Sequence, residues 1–413
     1  MKRIYLDHIT STPLDPRVFE AMKPFFMERY GNPSAMHQEG LMARDALQKS
    51  REQAASFIGA RRADEIYFTS GGTEANNLAI KGVAYASQRN GNHLIISTIE
   101  HPSVMEAAAF LETQGFVCTR VPVDREGRLD PEQVRAAVTD KTILIATHYA
   151  NHDIGVIQPV EEIGRVAAEK GAPFFCDANA AAGWLPIDIQ KIGAQLLSFT
   201  PHRFYGPKGS GVLYRNRKAR LQPIIHGGGQ ENGRRAGTEN VPAIVGAGLA
   251  CELAGREQAE RAAHAGVLQK RLIEGLLEQV PYLILNGPPA GPRRSPVNVS
   301  VSAEFIEGES QLLLLDHQGI AVASGGSCVS KSLKASHVLK GIGLDEALAQ
   351  GSIMMTLGRE NTVEEMDEVA RALAGVAAKL RAMSPLWDQF QKGRIDSLVK
   401  PRPKTDGRMN PLF

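Results

Sequence analysis

No stretch of this 413-residue chain marks a membrane span, a disulfide framework or a nucleic-acid surface. The longest apolar runs fall well short of the ~18 residues a spanning helix needs. The N-terminus, Met1-Lys-Arg-Ile-Tyr-Leu-Asp7, lacks the apolar segment of a secretory signal, so the cytoplasm is the expected compartment. Cysteines are few: Cys118, Cys176, Cys251 and Cys328, with no C-x-x-C spacing. That pattern argues against a zinc ribbon and against paired disulfides, and no metal site is expected. A net charge of +2 excludes a general electrostatic case for nucleic acid or membrane as partner. No internal repeat is found. What is present, 43% hydrophobic and 22% charged residues, is the composition of a globular protein. At ~150 residues per domain, it has room for two.

Apolar runs alternate with helical patterns between Glu65 and Tyr214. Strands are expected at Ile66 to Thr69, His93 to Ser97, Phe116 to Val121, Ile143 to Ala146, Pro173 to Cys176, Leu196 to Phe199 and Val212 to Tyr214. Helices are expected at Thr73 to Gln88, Ser103 to Thr113, Pro131 to Val138 and Val160 to Lys170. Such alternation predicts an α/β fold, with a mainly parallel sheet covered by helices on both faces. Ligands then bind past the carboxyl ends of the strands, where Gly71, His101, His152, Asp177 and His202 fall. A long helix, Glu239 to Gln279, leads to a smaller α+β region: strand Val297 to Val301, helix Glu309 to His317, strand Ile320 to Ala323, strand Ile353 to Leu357 and helix Val363 to Met383. One further helix is expected at Arg17 to Tyr30. The expected domains are 15–260 (large), 1–14 with 261–385 (small), and a C-terminal segment 386–413 ending in a basic, proline-rich tail.

Several motifs lie on this frame. Ser70-Gly-Gly-Thr-Glu-Ala-Asn-Asn77 joins a strand to a helix, where glycines admit a ligand and Thr73 with the helix N–H groups suits a phosphate. By itself the turn reads more readily as a plain helix cap. Asp177 ends an apolar run, where a carboxylate needs a partner or serves as a cap. Ser198-Phe-Thr-Pro-His-Arg-Phe-Tyr-Gly-Pro-Lys-Gly-Ser-Gly-Val-Leu-Tyr214 runs strand, His-Arg, glycine-rich turn, strand. This segment resembles the cofactor-lysine segment of the cysteine desulfurases, in the class V aminotransferase branch of pyridoxal-phosphate (PLP) enzymes. The resemblance runs from Tyr5 to Lys392 and implies a PLP fold type I homodimer, with a seven-stranded-type sheet.

It also implies roles. Thr73, Thr200 and His202 fall on the phosphate side, His101 stacks on the pyridine ring as a catalytic residue, and Asp177 faces the ring nitrogen. Thr238, in His226-Gly-Gly-Gly-Gln-Glu-Asn-Gly-Arg-Arg-Ala-Gly-Thr238, reaches the partner subunit's phosphate. Arg359 contacts the substrate carboxylate. Cys328, in Ala323-Ser-Gly-Gly-Ser-Cys-Val-Ser-Lys-Ser-Leu-Lys334, is in register with the persulfide-forming cysteine of a long loop that hands sulfur to acceptor proteins. Polar neighbours, with Lys331 and Lys334, suit a reactive thiol. The other cysteines read as core. Ser384 to Gly393 is similar to the segment that docks a scaffold protein, through Trp387 and Phe390, or else it packs on its own chain.

The departures are as informative. The family's imine-forming lysine is Arg203 here, and a guanidinium with a pKa above ~12 has no neutral nucleophilic form. The asparagine and glutamine beside the cofactor hydroxyl fall at His152 and Ala180, and a second carboxylate-binding arginine at Met354. PLP is therefore expected to bind noncovalently at best. Lys208 belongs to the family's own Gly-Pro-Lys-Gly turn and is no replacement, short of a rearrangement. Two other readings concern the vacated chemistry. His148, His152 and Asp153 have ligand-like spacing only if helical, whereas an Arg203–Asp177 salt bridge would fill the cofactor site. Cys328 could hold an iron–sulfur cluster with a partner's cysteines. Three functions stay open: sulfur transfer through Cys328 with PLP chemistry impaired, a desulfurase with noncovalent PLP, and a non-catalytic scaffold or heterodimer partner.

Overall fold

The computed structural model describes residues 3–324 and 335–399. Cys328, Lys331 and Lys334 lie outside the described residues, as does the tail from Lys400. Strand β1 (Ile4–Tyr5) opens the chain, followed by α1 (Pro16–Met22), α2 (Pro24–Met27) and α3 (Gln38–Phe57). Seven strands then alternate with helices: β2 (Ile66–Thr69), α4 (Gly72–Ser87), β3 (His93–Ser97), α5 (Pro102–Glu112), β4 (Val117–Val121), α6 (Pro131–Ala137), β5 (Thr142–His148), α7 (Val160–Lys170), β6 (Phe174–Asp177), α8 (Ile189–Ile192), β7 (Leu196–Phe199) and β8 (Gly211–Arg215).

They form one sheet in the order β2-β8-β7-β6-β5-β3-β4. Every pairing among β3 to β7 is parallel, and β8 runs antiparallel to both neighbours. Side chains alternate across it, as extended backbone requires. Phe174 and Cys176 enter the core on one face with α3 and α7, while Phe175 enters that on the other with α4 and α5. With both faces covered, the strands read as continuous apolar runs, which is why the sequence located them.

After α9 (Gln230–Gly233) the 39-residue α10 (Val241–Gln279) packs along α3 and reaches a second sheet. The elements of this region are β9 (Leu283–Leu285), β10 (Asn298–Ala303), α11 (Gly308–His317), β11 (Ile320–Ala321), β12 (Ala323–Ser324), α12 (His337–Gly341), α13 (Glu346–Gln350), β13 (Ser352–Thr356), α14 (Val363–Ala382) and α15 (Pro385–Gln391), of which β9, β10, β12 and β13 form the sheet. Its order is β12-β13-β10-β9, all antiparallel, over a separate apolar core. No helix among the described residues is long and apolar enough to cross a membrane.

Two expectations need correction, and one helix was not expected. The single helix at Arg17 to Tyr30 is two short ones, because Pro24 lacks the N–H that would continue α1 and starts a new turn instead. The strand at Ile320 to Ala323 is split: β11 pairs with β1, whereas β12 joins β13. Helix α3 had no sequence signal, since its buried face is mostly small residues, Gly40, Ala43, Ser50, Ala54 and Ala55 around Leu47.

The C-terminal segment packs on its own chain. Trp387 and Phe390 form an aromatic cluster with Tyr282 and Phe305, at centroid distances of 5.0 to 5.5 Å, and Arg381 lies over Trp387 at 5.5 Å. Further on, Leu398 N–H donates to Glu304 Oε1 at 2.7 Å, and Val399 is buried. Both rings face this cluster, so Trp387→Ala should destabilise the chain by about 2 kcal/mol in urea unfolding, less than a fully buried tryptophan costs. A ring reserved for an outside partner would leave stability unchanged.

Candidate functional site

The ladder sets the site. At the carboxyl ends, Asp177 on β6 stands abreast of His148 on β5 and Ser198 on β7. The start of α4 and the caps of neighbouring turns close a cavity of about 140 Å³ over them. It is lined by Thr73, His101, His152, Asp177, Thr200, His202 and Arg203, together with Gly72, Asn76, Ser103, His148, Ala150, Asn179 and Ala180.

Asn76 organises it. Its Nδ2 donates to Asp177 Oδ2 at 2.7 Å and to Ser103 Oγ at 2.8 Å, while its Oδ1 accepts from Ser198 Oγ at 2.6 Å. Asn179 supplies the other Asp177 oxygen with two donors, its backbone N–H at 2.9 Å and Nδ2 at 2.7 Å. Ser103 continues the chain to His101, whose Nδ1 lies 2.7 Å from Ser103 Oγ and caps α5 through the Ser103 N–H. With Nδ1 accepting there, the proton of the neutral ring sits on Nε2. Neither asparagine was singled out from the sequence. Asn76 lies one helical turn beyond Thr73, on the same face, and that spacing was the available signal.

His101, His152 and His202 are biased towards the neutral form. Burial pushes His101 down from its ordinary value of 6.5, and Arg203 adds to it. His202 is lowered to about 4 by burial and then Arg203. His152 lies well below its ordinary range, through burial and then His101. His152 has no hydrogen-bond partner among the described residues; its ring stands edge-on to His101 at 5.0 Å. His148 does not converge with it. Its Nδ1 lies 2.9 Å from Glu100 and its Nε2 3.1 Å from Gln158, while Asp153 accepts from Ser336, so the spacing is not a ligand set.

Arg203 differs from expectation. The Arg203–Asp177 salt bridge does not form; Asn76 and Asn179 are the groups that donate to the Asp177 oxygens. Among the described residues the guanidinium has no ion pair, and its buried Nε has no partner. Burial lowers its pKa, with Asp177 and then Asp7 opposing. Thr238 is exposed and away from its own chain's cavity. Arg359 is also apart: Asp15 accepts from its Nη1 at 2.7 Å, Glu360 from its Nε at 2.8 Å, and Tyr205 lies beneath it at 4.1 Å. Lys208 lines a different cavity of about 450 Å³, beside Tyr5, His8 and Glu360.

The donor set suits a phosphate-bearing aromatic ring. Helix α4 offers its N-terminus and Thr73, the Gly71-Gly72 turn lets backbone approach, and Asp177 is fixed for a ring nitrogen. The cradle tolerates no side chain, since a Cβ on Gly72 would sit 2.4 Å from Asn179 Oδ1. No lysine lines the cavity among the described residues.

Comparison with known proteins agrees with this geometry. Residues 4–369 match the family described as aminotransferase class-V. The chain is 47% identical over 385 residues to cysteine desulfurase IscS of Methanosarcina thermophila, covering 93% of this chain and 94% of that protein. It is 44% identical over 393 residues to cysteine desulfurase IscS of Clostridium botulinum, covering 95% and 99%. A solved NifS-like protein superposes with a TM-score of 0.85 at 36% identity, over 92% of this chain and all of that one. The chain belongs to the class-V aminotransferase family, in its cysteine desulfurase branch.

The neutral histidines set a pH dependence. A histidine whose pKa is lowered by folding stabilises the native state above its unfolded value, and this is lost as pH falls. For His202 the window runs from 6.5 down to about 4, and His152 acts in the same direction. Asp153, raised to about 6 by burial, opposes it, so a difference between chains is the cleaner reading. The Tm of His152→Asn should fall less than that of the parent between about pH 7 and 4.5, measured by circular dichroism.

Proposed function

We propose that this chain is a sulfur-transfer protein that carries sulfur on Cys328, with conventional PLP-dependent release of sulfur from cysteine impaired. The observation that supports it most is Arg203: the position of the cofactor lysine holds a cation that cannot form an imine, in a cavity whose phosphate side is kept. PLP, when bound, supplies an electron-accepting ring for breaking the C–S bond of cysteine. The α4 N-terminus with Thr73, Thr200 and His202 would take its phosphate, Asp177 its ring nitrogen and His101 its ring face. None of these groups replaces the amine that the family uses both as anchor and as base.

Sulfur transfer itself needs no PLP. The Cys328 thiolate attacks the outer sulfur of a donor persulfide, the donor S–S bond breaks, and the donor leaves as a thiolate while Cys328 becomes the persulfide. An acceptor thiolate repeats the exchange, and no net oxidation occurs. The sequence around Cys328 and the cytoplasmic expectation suit such a relay, with a scaffold or acceptor protein and iron–sulfur cluster assembly as its destination. The exposed Thr238 supports a dimer in which it completes the neighbouring subunit's site, including that of an intact relative.

The test is product formation by the purified chain, with excess PLP and reductant. Cysteine should yield little alanine, and borohydride should fix no PLP on any lysine. With a persulfide donor, sulfur should reach an acceptor thiol, and Cys328→Ser should abolish that transfer. Alanine formed in step with sulfide would overturn the impairment, and transfer retained by Cys328→Ser would overturn the relay.

A further inference from the structure

The relay needs a donor, and the cavity indicates its chemical class. Arg203 is the only arginine or lysine among the described residues lining it, while His101, His152 and His202 are all biased towards the neutral form. Its backbone is pinned: the carbonyl accepts from Trp184 Nε1 at 3.2 Å, and the turn Pro201–Arg203 fixes where the side chain starts. The guanidinium forms no ion pair with Asp177, held by two asparagines, or with Asp7, whose Oδ2 accepts from Thr10 at 2.6 Å while its buried Oδ1 has no partner; both acids act on Arg203 only through space. A half-buried guanidinium with no ion pair is poorly compensated, and a ligand anion would supply two parallel charge-assisted hydrogen bonds.

Two other positions could have met an acid here, and neither does. Arg359 is bound by Asp15 and Glu360 and lies flat on Tyr205, outside the cavity. Position 354 is a methionine, buried in the apolar core with Ala180. The helix N-terminus with Thr73 serves a phosphate, which leaves Arg203 for a carboxylate.

Resting on the sulfur-transfer reading above, we infer that Arg203 is the receptor for the carboxylate of the sulfur donor, so that the donor is the persulfide of a small carboxylic acid. Arg203 holds the acid end of the donor, and the donor's outer sulfur is the atom transferred. A donor without a carboxylate has no partner for the guanidinium and binds weakly.

Equilibrium binding tests this without turnover or PLP. The full-length Cys328→Ser chain, under reductant, is titrated calorimetrically with 3-mercaptopropionate, a stand-in for the acid, and with 2-aminoethanethiol, which lacks the carboxylate. 3-Mercaptopropionate should bind and 2-aminoethanethiol should not. Arg203→Gln should weaken binding at least about tenfold, the loss expected for a charge-assisted hydrogen bond. Arg203→Lys, which keeps the charge but not the fork, should fall between, guarding against a folding defect in the glutamine variant. No binding by the parent, equal binding of both thiols, or loss in Arg359→Gln rather than Arg203→Gln would each overturn the assignment. Because Cys328 is absent from this assay, failure of the relay and failure of the receptor are separable results.

Discussion

The site depends on one buried amide. Asn76 projects from the first turns of α4 and ties Asp177 on β6, Ser198 on β7 and Ser103 at the start of α5 into a single network. Both of its donors and its acceptor are used, at 1% exposure, where a lost partner would leave a buried polar group unsatisfied. The network fixes how far the helix start stands from the strand ends, and so the width of the cradle. Through Ser103 it also sets the tilt and tautomer of His101.

Against that satisfied frame, Arg203 stands out as the one cationic side chain of the cavity left without a partner. Asn76 and Asn179 donate to both oxygens of Asp177, and the arginine forms no ion pair with it. Its field instead adds to burial in keeping the neighbouring His101 and His202 uncharged. A cavity with one fixed cation, a fixed acid and neutral imidazoles is arranged for an anion, and is poorly suited to chemistry that needs a neutral amine.

Much of the large sheet was legible because buried parallel strands are short apolar runs bounded by glycine, proline and turns, as at Ile66 to Thr69 and Leu196 to Phe199. Helix α3 was not, since alanine and glycine on its buried face leave little hydrophobic contrast. Within the site, Thr73, His101, Asp177 and Arg203 could be placed by motif, and the structure brings them to one cavity. The asparagine network was hidden for a physical reason: Asn76 and Ser198 are 122 residues apart, and their bond exists only after α4 has packed across the strand ends. The missing counter-ion of Arg203 was equally invisible. Sequence can show that a cation is present, whereas whether it is paired depends on where folding places the nearby acids.

Intact-mass analysis of the full chain, incubated with cysteine persulfide in the absence of PLP, is the most direct measurement of the central claim. The relay predicts a gain of one sulfur atom on the parent chain, reversible by thiol and absent from Cys328→Ser. No gain without PLP, or the same gain in the serine variant, would contradict it.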